Sequence, residues 1–248
     1  MLILHDKRIP DEYLSALKEK LPGLTLIPFG GIPGKVYDSI SCHPDIYFFR
    51  LDEKTLIHAP GLTVEYLAPL KEHGLELVKG EGDPEGRYPV TARYNAARAG
   101  KVVFHNTRHT DPGVLRKVRE SGLETACVEQ GYARCSVIEV SKRAIITADD
   151  GIAGAAAERG LDVLTVSSGS VLLPGEKYGF IGGATGPVRK SFSNGTSLGK
   201  TGRELIFLGD PYSHPDGPAI MDFLRKYGVR AVYPEGLALY DAGGLMVF

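Results

Sequence analysis

Hydrophobic and polar positions along the chain repeat as one module: an amphipathic stretch, a glycine, then a short apolar run. Five copies are visible. They are Leu21-Pro-Gly23-Leu-Thr-Leu-Ile-Pro28, Glu72-His-Gly74-Leu-Glu-Leu-Val78, Glu120-Ser-Gly122-Leu-Glu-Thr-Ala-Cys-Val128, Glu158-Arg-Gly160-Leu-Asp-Val-Leu-Thr-Val166 and Lys226-Tyr-Gly228-Val-Arg-Ala-Val-Tyr233. Each glycine stands where a helix ends in a left-handed residue, a conformation that glycine adopts at little cost. The stretches before them predict helices. Pro10 to Lys20 opens on proline and closes on lysine, and Asp111-Pro-Gly113 begins the next with an acidic cap and proline in the first turn. Asp150 and Asp216 open two more, while Leu62 to Leu70 is a weaker helix interrupted by Pro69.

Two apolar runs separated by a turn precede each helix, which predicts a β-hairpin. Asp45 to His58 turns at Asp52-Glu-Lys54, Asn95 to His105 at Gly100, and Cys135 to Thr147 at Ser141-Lys142. Gly182-Gly-Ala184 leads, after an insertion, to Glu204-Leu-Ile-Phe-Leu208. The fifth hairpin breaks across the termini, with Asp241 to Phe248 as one strand and Met1-Leu-Ile-Leu4 as its partner. The unit is strand, strand, helix, strand. Its helix-end glycines advance by 51, 48, 38 and 68 residues, and by 43 around the termini. A unit split between the two ends of the chain predicts a closed ring, which removes exposed sheet edges. The expected units are about 41–80, 91–129, 131–168, 178–234, and 235–248 joined to 1–29, all within one domain spanning 1–248.

Composition narrows the functional classes. The 248 residues are 43% hydrophobic and 24% charged, an ordinary globular balance. Lysine and arginine (29) cancel aspartate and glutamate (30), so no basic excess favours nucleic acid as a partner. No apolar run is long enough to cross a membrane, and Met1 to Leu4 is too short for a signal peptide. Three cysteines, Cys42, Cys127 and Cys135, form no C-x-x-C pair, so neither a disulfide framework nor a zinc finger is indicated. A reducing, cytoplasmic setting is expected, with no cofactor and a small molecule as ligand.

Ring geometry brings the starts of the five first strands to one mouth, and these are Asp45, Asn95, Cys135, Gly183 and Asp241. The loops feeding them carry Glu81, Asp83, Glu129, Gln130, Ser167, Ser168, Glu235, Cys42 and His43. Such convergence predicts a small-molecule site. Local turn capping by Asp and Asn is the competing account of each anchor. The phrase His-Pro-Asp occurs at 43–45 and at 214–216. Pooling them as metal ligands is disfavoured, because His43 and His214 stand at different places in the unit; His214-Pro-Asp216 reads better as a helix start. Asn194 to Thr201 ends like a phosphate loop but lacks its first glycine and precedes a strand. The basic, Gly/Ser/Thr-rich insertion at 184–203 reads as a surface loop, a flap or a subunit contact, leaving a homodimer open.

Five such units in about 250 residues resemble the pentein fold, the five-bladed α/β propeller of guanidino-group-modifying enzymes. Ser41-Cys-His-Pro-Asp45, Gln130-Gly-Tyr-Ala-Arg-Cys-Ser136 and Tyr178-Gly-Phe-Ile-Gly-Gly-Ala184 resemble more specifically an uncharacterised bacterial family of that fold. The resemblance implies attack by a cysteine thiolate on a guanidinium carbon, a histidine assisting and carboxylates holding the cation. This chain departs from that pattern. No cysteine follows Gly243-Gly244, and Cys135 stands where the fold's histidine is expected. Two readings follow. In one, Cys135 is the nucleophile, His43 or His214 the acid–base, and Asp45 the cation-holding carboxylate, with Asn95, Gln130, Gly183 and Asp241 binding substrate. In the other, the ring binds a ligand or partner without catalysis.

Overall fold

The computed structural model describes residues 1–188 and 203–248. The expectations placed on 189–202, including Asn194 to Thr201, lie outside the described residues. The chain opens with β1 (Leu2–Asp6), α1 (Asp11–Lys20) and β2 (Thr25–Phe29). A single helical turn, α2 (Pro44–Tyr47), leads into β3 (Phe48–Arg50), β4 (Thr55–His58), α3 (Val64–Glu72) and β5 (Glu76–Lys79). Next come β6 (Ala97–Ala99), β7 (Val102–His105), α4 (Pro112–Glu120) and β8 (Glu124–Cys127). The turn α5 (Ala133–Ser136) precedes β9 (Val137–Ser141), β10 (Ala144–Thr147), α6 (Asp150–Ala157) and β11 (Asp162–Thr165). The chain closes with β12 (Thr185–Val188), β13 (Arg203–Phe207), α7 (Gly217–Lys226), β14 (Val229–Val232) and β15 (Met246–Val247).

These strands form five three-stranded sheets, ordered β3-β4-β5, β6-β7-β8, β9-β10-β11, β12-β13-β14 and β15-β1-β2. In every sheet the first strand pairs antiparallel with the middle one, and the middle pairs parallel with the third. The parallel step needs a crossover, which the helix supplies. The fifth sheet is closed by the two ends of the chain: Ile3 faces Val247 and Leu4 faces Met246. This is the pentein propeller, an α/β ring of ββαβ units. Strand β9 packs against β6 and β12, and β12 against β15. Residues of all five first strands line one narrow central cavity, among them Arg50, Arg98, Val137, Pro187 and Val247. Arg50 donates to the carbonyl of Val247 and Arg98 to that of Leu51, tying neighbouring units across the centre.

Apart from Arg203 at the start of β13, the middle strands are buried, as at Leu56, Ile57, Phe104, Ile145 and Ile206. Helices cover their outer sides through Leu17, Leu70, Val118, Ile152 and Leu224. Pro69 does not end α3. The helix runs on to Glu72, because a proline removes one backbone donor while the next residue, Leu70, is fully buried. Gly23, Gly74, Gly122, Gly160 and Gly228 all carry positive φ, the left-handed stop read from the repeat. Asp149, rather than Asp150, caps α6 with its side chain, accepting from the Ile152 N–H. The third hairpin turns one residue later than its sequence suggests, since β9 extends through Ser141. Among the described residues no helix is long and apolar enough to cross a membrane.

Candidate functional site

The anchor residues do not begin strands. They occupy the turns just before them. Pro44 opens α2, whose fixed φ suits a first helical position, and places Asp45 one residue inside it. Cys135 lies in the equivalent turn α5 of the third unit. Gly183 sits in a short 3-10 turn, Gly182–Ala184, ahead of β12, while Asn95 and Asp241 lie in irregular chain ahead of β6 and β15. The turns α2 and α5 bring Asp45 and Cys135 together, and Cys135 and Asp241 face one pocket.

Asp45, Asn95, Cys135, Asp241 and His43 are all buried. The Cys135 thiol donates to Asp45 Oδ2 at 2.9 Å. Asn95 holds this pair together. Its Oδ1 accepts from the backbone N–H of Arg134 at 2.9 Å and of Cys135 at 3.2 Å. Its Nδ2 donates to the Asp45 carbonyl and lies 3.3 Å from Cys135 Sγ. The Asp241 carboxylate accepts from the N–H groups of Phe180 (2.8 Å) and Gly243 (2.9 Å). His43 Nε2 lies 3.8 Å from Asp6 Oδ2, and its Nδ1 is buried without a hydrogen-bond partner, as is Asp45 Oδ1. Arg134 points below the cluster, donating to the carbonyls of Gly182 and Thr185 at 3.0 and 3.1 Å.

Electrostatics follow from burial. Desolvation raises the Asp45 carboxyl to about 7, the positive charge of Arg134 only partly opposing it. Burial pushes the Cys135 thiol well above its ordinary range, and the Asp45 and Asp241 charges push it further. Burial lowers His43. The resting site therefore holds a protonated thiol hydrogen-bonded to a buried carboxyl, beside a neutral imidazole.

Two glycines make the cluster possible. A Cβ at Gly183 would overlap the Asp241 carboxylate, and one at Gly243, whose φ is +67°, would overlap the His43 side chain. Gly183 thus gives room to the Asp241 carboxylate.

Above the cluster is a pocket of about 360 Å3. His43, Cys135 and Asp241 form its floor; Tyr37, Tyr132, Tyr178 and Phe180 contribute its walls. Tyr132 hydroxyl bonds link to Tyr37 (3.0 Å) and Thr91, fixing two of those rings. Glu176 and Lys177 also line it, Glu176 being tied to Ser39 at 2.7 Å.

Several expected groups are elsewhere. Gln130 does not reach the cluster. It donates to Asp149, accepts from the Tyr132 N–H at 2.9 Å, and lines a separate cavity of about 210 Å3 with Ser167 and Ser168. Glu81, Glu129 and Glu235 pair with Arg116, Arg108 and Lys20 at the periphery, because their loops face outward past the third strands. Asp83 caps the Gly61 N–H, and Cys42 packs under Gly30. His214 bonds the Ser167 carbonyl and the Asp216 N–H, so it is no acid–base partner for Cys135. Asp216 starts α7 without capping it and accepts from Ser167 instead. Asp45, expected to hold a cation, is the thiol's own partner, a place assigned to histidine. The aromatic wall went unread in the sequence, although Tyr132 and Tyr178 stand inside two of the phrases that carry the resemblance.

A profile described as "Family of unknown function (DUF6873)" matches residues 4–246. The chain belongs to this family. Comparison with curated proteins finds no match. Among solved structures, the chain is similar to SxtG, an amidinotransferase from Microseira wollei in the saxitoxin biosynthetic pathway, at TM-score 0.50 and 10% identity, covering 93% of this chain and 87% of that one. It is equally similar to the C. jejuni agmatine deiminase, at TM-score 0.50 and 12% identity over 94% and 87% of the two chains. At such identities the likeness is one of fold, and the fold is that of the pentein propellers.

Proposed function

We propose that the central pocket of this DUF6873 chain binds a small metabolite through a guanidino or primary amino cation, and that Cys135 acts on its C–N bond. The observation that carries this reading is the make-up of the pocket: Asp241 and the Cys135–Asp45 pair at its base, under Tyr37, Tyr132, Tyr178 and Phe180. Aromatic faces attract a desolvated cation by about 0.5–2 kcal/mol, and carboxylates pair with planar guanidinium. The two structural neighbours carry names of guanidino chemistry, which favours that cation over others.

In the catalytic form of this reading, cation entry offsets the negative field that holds the thiol proton. The proton passes from Cys135 Sγ to Asp45 Oδ2, 2.9 Å away, as the sulfur attacks the guanidino carbon. The C–N bond breaks and the departing amine takes the proton from Asp45. Water then cleaves the S–C bond and restores the thiol. His43 polarises the pocket floor and does not touch the sulfur's proton.

A second reading, binding without turnover, is favoured by the protonated resting thiol. One experiment separates the two. A panel of guanidino and amino compounds is screened by thermal shift in chelator-treated protein, with mass spectrometry for ammonia- or amine-releasing turnover. A ligand at about 100 times its Kd stabilises by about 2.7 kcal/mol, a rise of roughly 5–10 °C for a chain of this size. Product that disappears in Cys135→Ser supports catalysis. Stabilisation without product supports binding alone. No shift from any cationic compound overturns the proposal.

A further inference from the structure

The floor of the pocket carries a donor set that the guanidino reading does not use as such. One ring nitrogen of His43, Sγ of Cys135 and a carboxylate oxygen of Asp241 all lie within 4.8 Å of one another. Among the described residues this is the one group of that kind, and all three side chains are buried. They come from three different units of the ring, and they face one pocket.

We propose that His43, Cys135 and Asp241 bind a borderline-soft divalent metal ion of the zinc class, with its fourth position open toward the pocket. Imidazole, thiolate and carboxylate are the donors such an ion takes, at about 2.0–2.3 Å. Tetrahedral coordination places donor atoms roughly 3.3–3.8 Å apart, so closing from 4.8 Å needs only small side-chain shifts. Hard ions that demand six oxygens do not fit this set.

Independent observations point to an occupant. His43 Nδ1 is a buried polar atom without a partner, and so is Asp45 Oδ1 beside the sulfur. Atoms of this kind are rare in folded chains unless something outside the chain satisfies them. The outer ring of contacts also resembles that of a ligating centre. Asp241 is steadied by two backbone N–H groups, Cys135 by Asn95, and His43 Nε2 lies near Asp6, which Arg8 holds in turn.

Metal binding requires the thiolate, so one proton leaves Cys135 for each ion bound. Asp45 Oδ2 is the nearest acceptor, and solvent takes the proton from there. An ion seated here covers the sulfur and cancels the field that draws an organic cation. Metal and cationic ligand then exclude each other, which would make the metal a reversible block on the pocket. Metal binding itself does not rest on the guanidino reading.

Cobalt(II) is the probe. Titrating chelator-treated full-length protein should give one cobalt per chain, with a thiolate-to-metal charge-transfer band and intense low-symmetry ligand-field bands. Zinc should displace it. Cys135→Ser should lose the charge-transfer band, whereas Cys127→Ser should keep it. A folded chain without the band, or a band that vanishes only in Cys127→Ser, overturns the proposal. Should Cys135→Ser fail to fold, the native chain still decides. Equimolar zinc should slow alkylation of Cys135, mapped by peptide, by at least tenfold; an unchanged rate overturns the site. The ligand screen in chelated protein is a separate readout, so a chain that binds cobalt but no cation keeps this site and loses the guanidino reading.

Discussion

At the scale of single residues, the site depends on what is absent as much as on what is present. Gly183 has no side chain, and the Asp241 carboxylate fills the space one would occupy. Gly183→Ala should therefore disturb the pocket floor before it disturbs the propeller. The expected result is a loss of about 2–3 kcal/mol, as for other overpacked cores, seen as a lower denaturant midpoint with unchanged far-UV spectrum. A wild-type midpoint would show that the turn relaxes freely. The cysteines differ just as sharply. Cys127 is exposed, and hydrogen bonding from Thr107 lowers its thiol, whereas Cys135 is buried and raised. Iodoacetamide at neutral pH should label Cys127 first and Cys135 slowly, by at least tenfold on peptide mapping. Rapid labelling of Cys135 in the free chain would mean that its proton is not held as the geometry indicates.

At the scale of elements, carboxylates fasten each unit to the next. Asp111 caps α4 through the N–H groups of Gly113 and Val114 and also accepts from Glu81 and Gly82, which follow β5 of the preceding unit. It is fully buried. Asp111→Ala removes a helix cap, worth about 1 kcal/mol, and leaves two further N–H groups of another unit unpaired. A total loss of about 3 kcal/mol is expected, read as a fall in Tm of roughly 6–12 °C. A change under about 1 kcal/mol would show that water replaces the carboxylate. Asn95 plays the same part at the centre, joining the turn of one unit to the thiol of the next.

At the scale of the whole molecule, repetition places histidines alike. His58 and His105 end the middle strands of their units, His5 stands one residue before the end of β1, and all three are buried. His5 and His58 bond neighbouring carbonyls through Nδ1, and His105 bonds Thr110 and the Gly131 carbonyl. Burial lowers all three, His105 to about 4. The folded chain keeps them neutral while the unfolded chain protonates them near 6.5, so the unfolded state binds more protons on acidification. Their contribution is complete above about 6.5 and is lost as pH falls below it, for His105 down to about 4. His105 alone accounts for about 3 kcal/mol across that window. Asp45, raised to about 7, takes up a proton on folding in the same window and acts in the opposite sense, so the test is made in Asp45→Asn, whose urea midpoints from pH 7.5 to 4.5 should fall steadily below 6.5. A flat profile would contradict the buried neutral imidazoles.

How much of this was legible in the sequence differs by level. Periodicity determined the units, because helix stops and strand pairing are local demands that glycine, proline and apolar alternation answer within a few residues. The split fifth unit, with Met1–Leu4 facing Asp241–Phe248, already implied closure. The repeat also singled out Asp45, Asn95, Cys135, Gly183 and Asp241 as equivalent positions, and the ring brings four of their side-chain or backbone groups to one cluster. Which group meets which was decided by tertiary structure alone. That Asp45 rather than His43 accepts the Cys135 hydrogen bond depends on how the turns α2 and α5 meet across the ring. Gln130 turns aside because Asp149, in the following unit, offers a better partner. The aromatic wall arises from Tyr37, Tyr132, Tyr178 and Phe180, which share no local pattern. Their meeting, like the burial that shifts the proton affinities, is a property of the closed ring and of the low dielectric inside it.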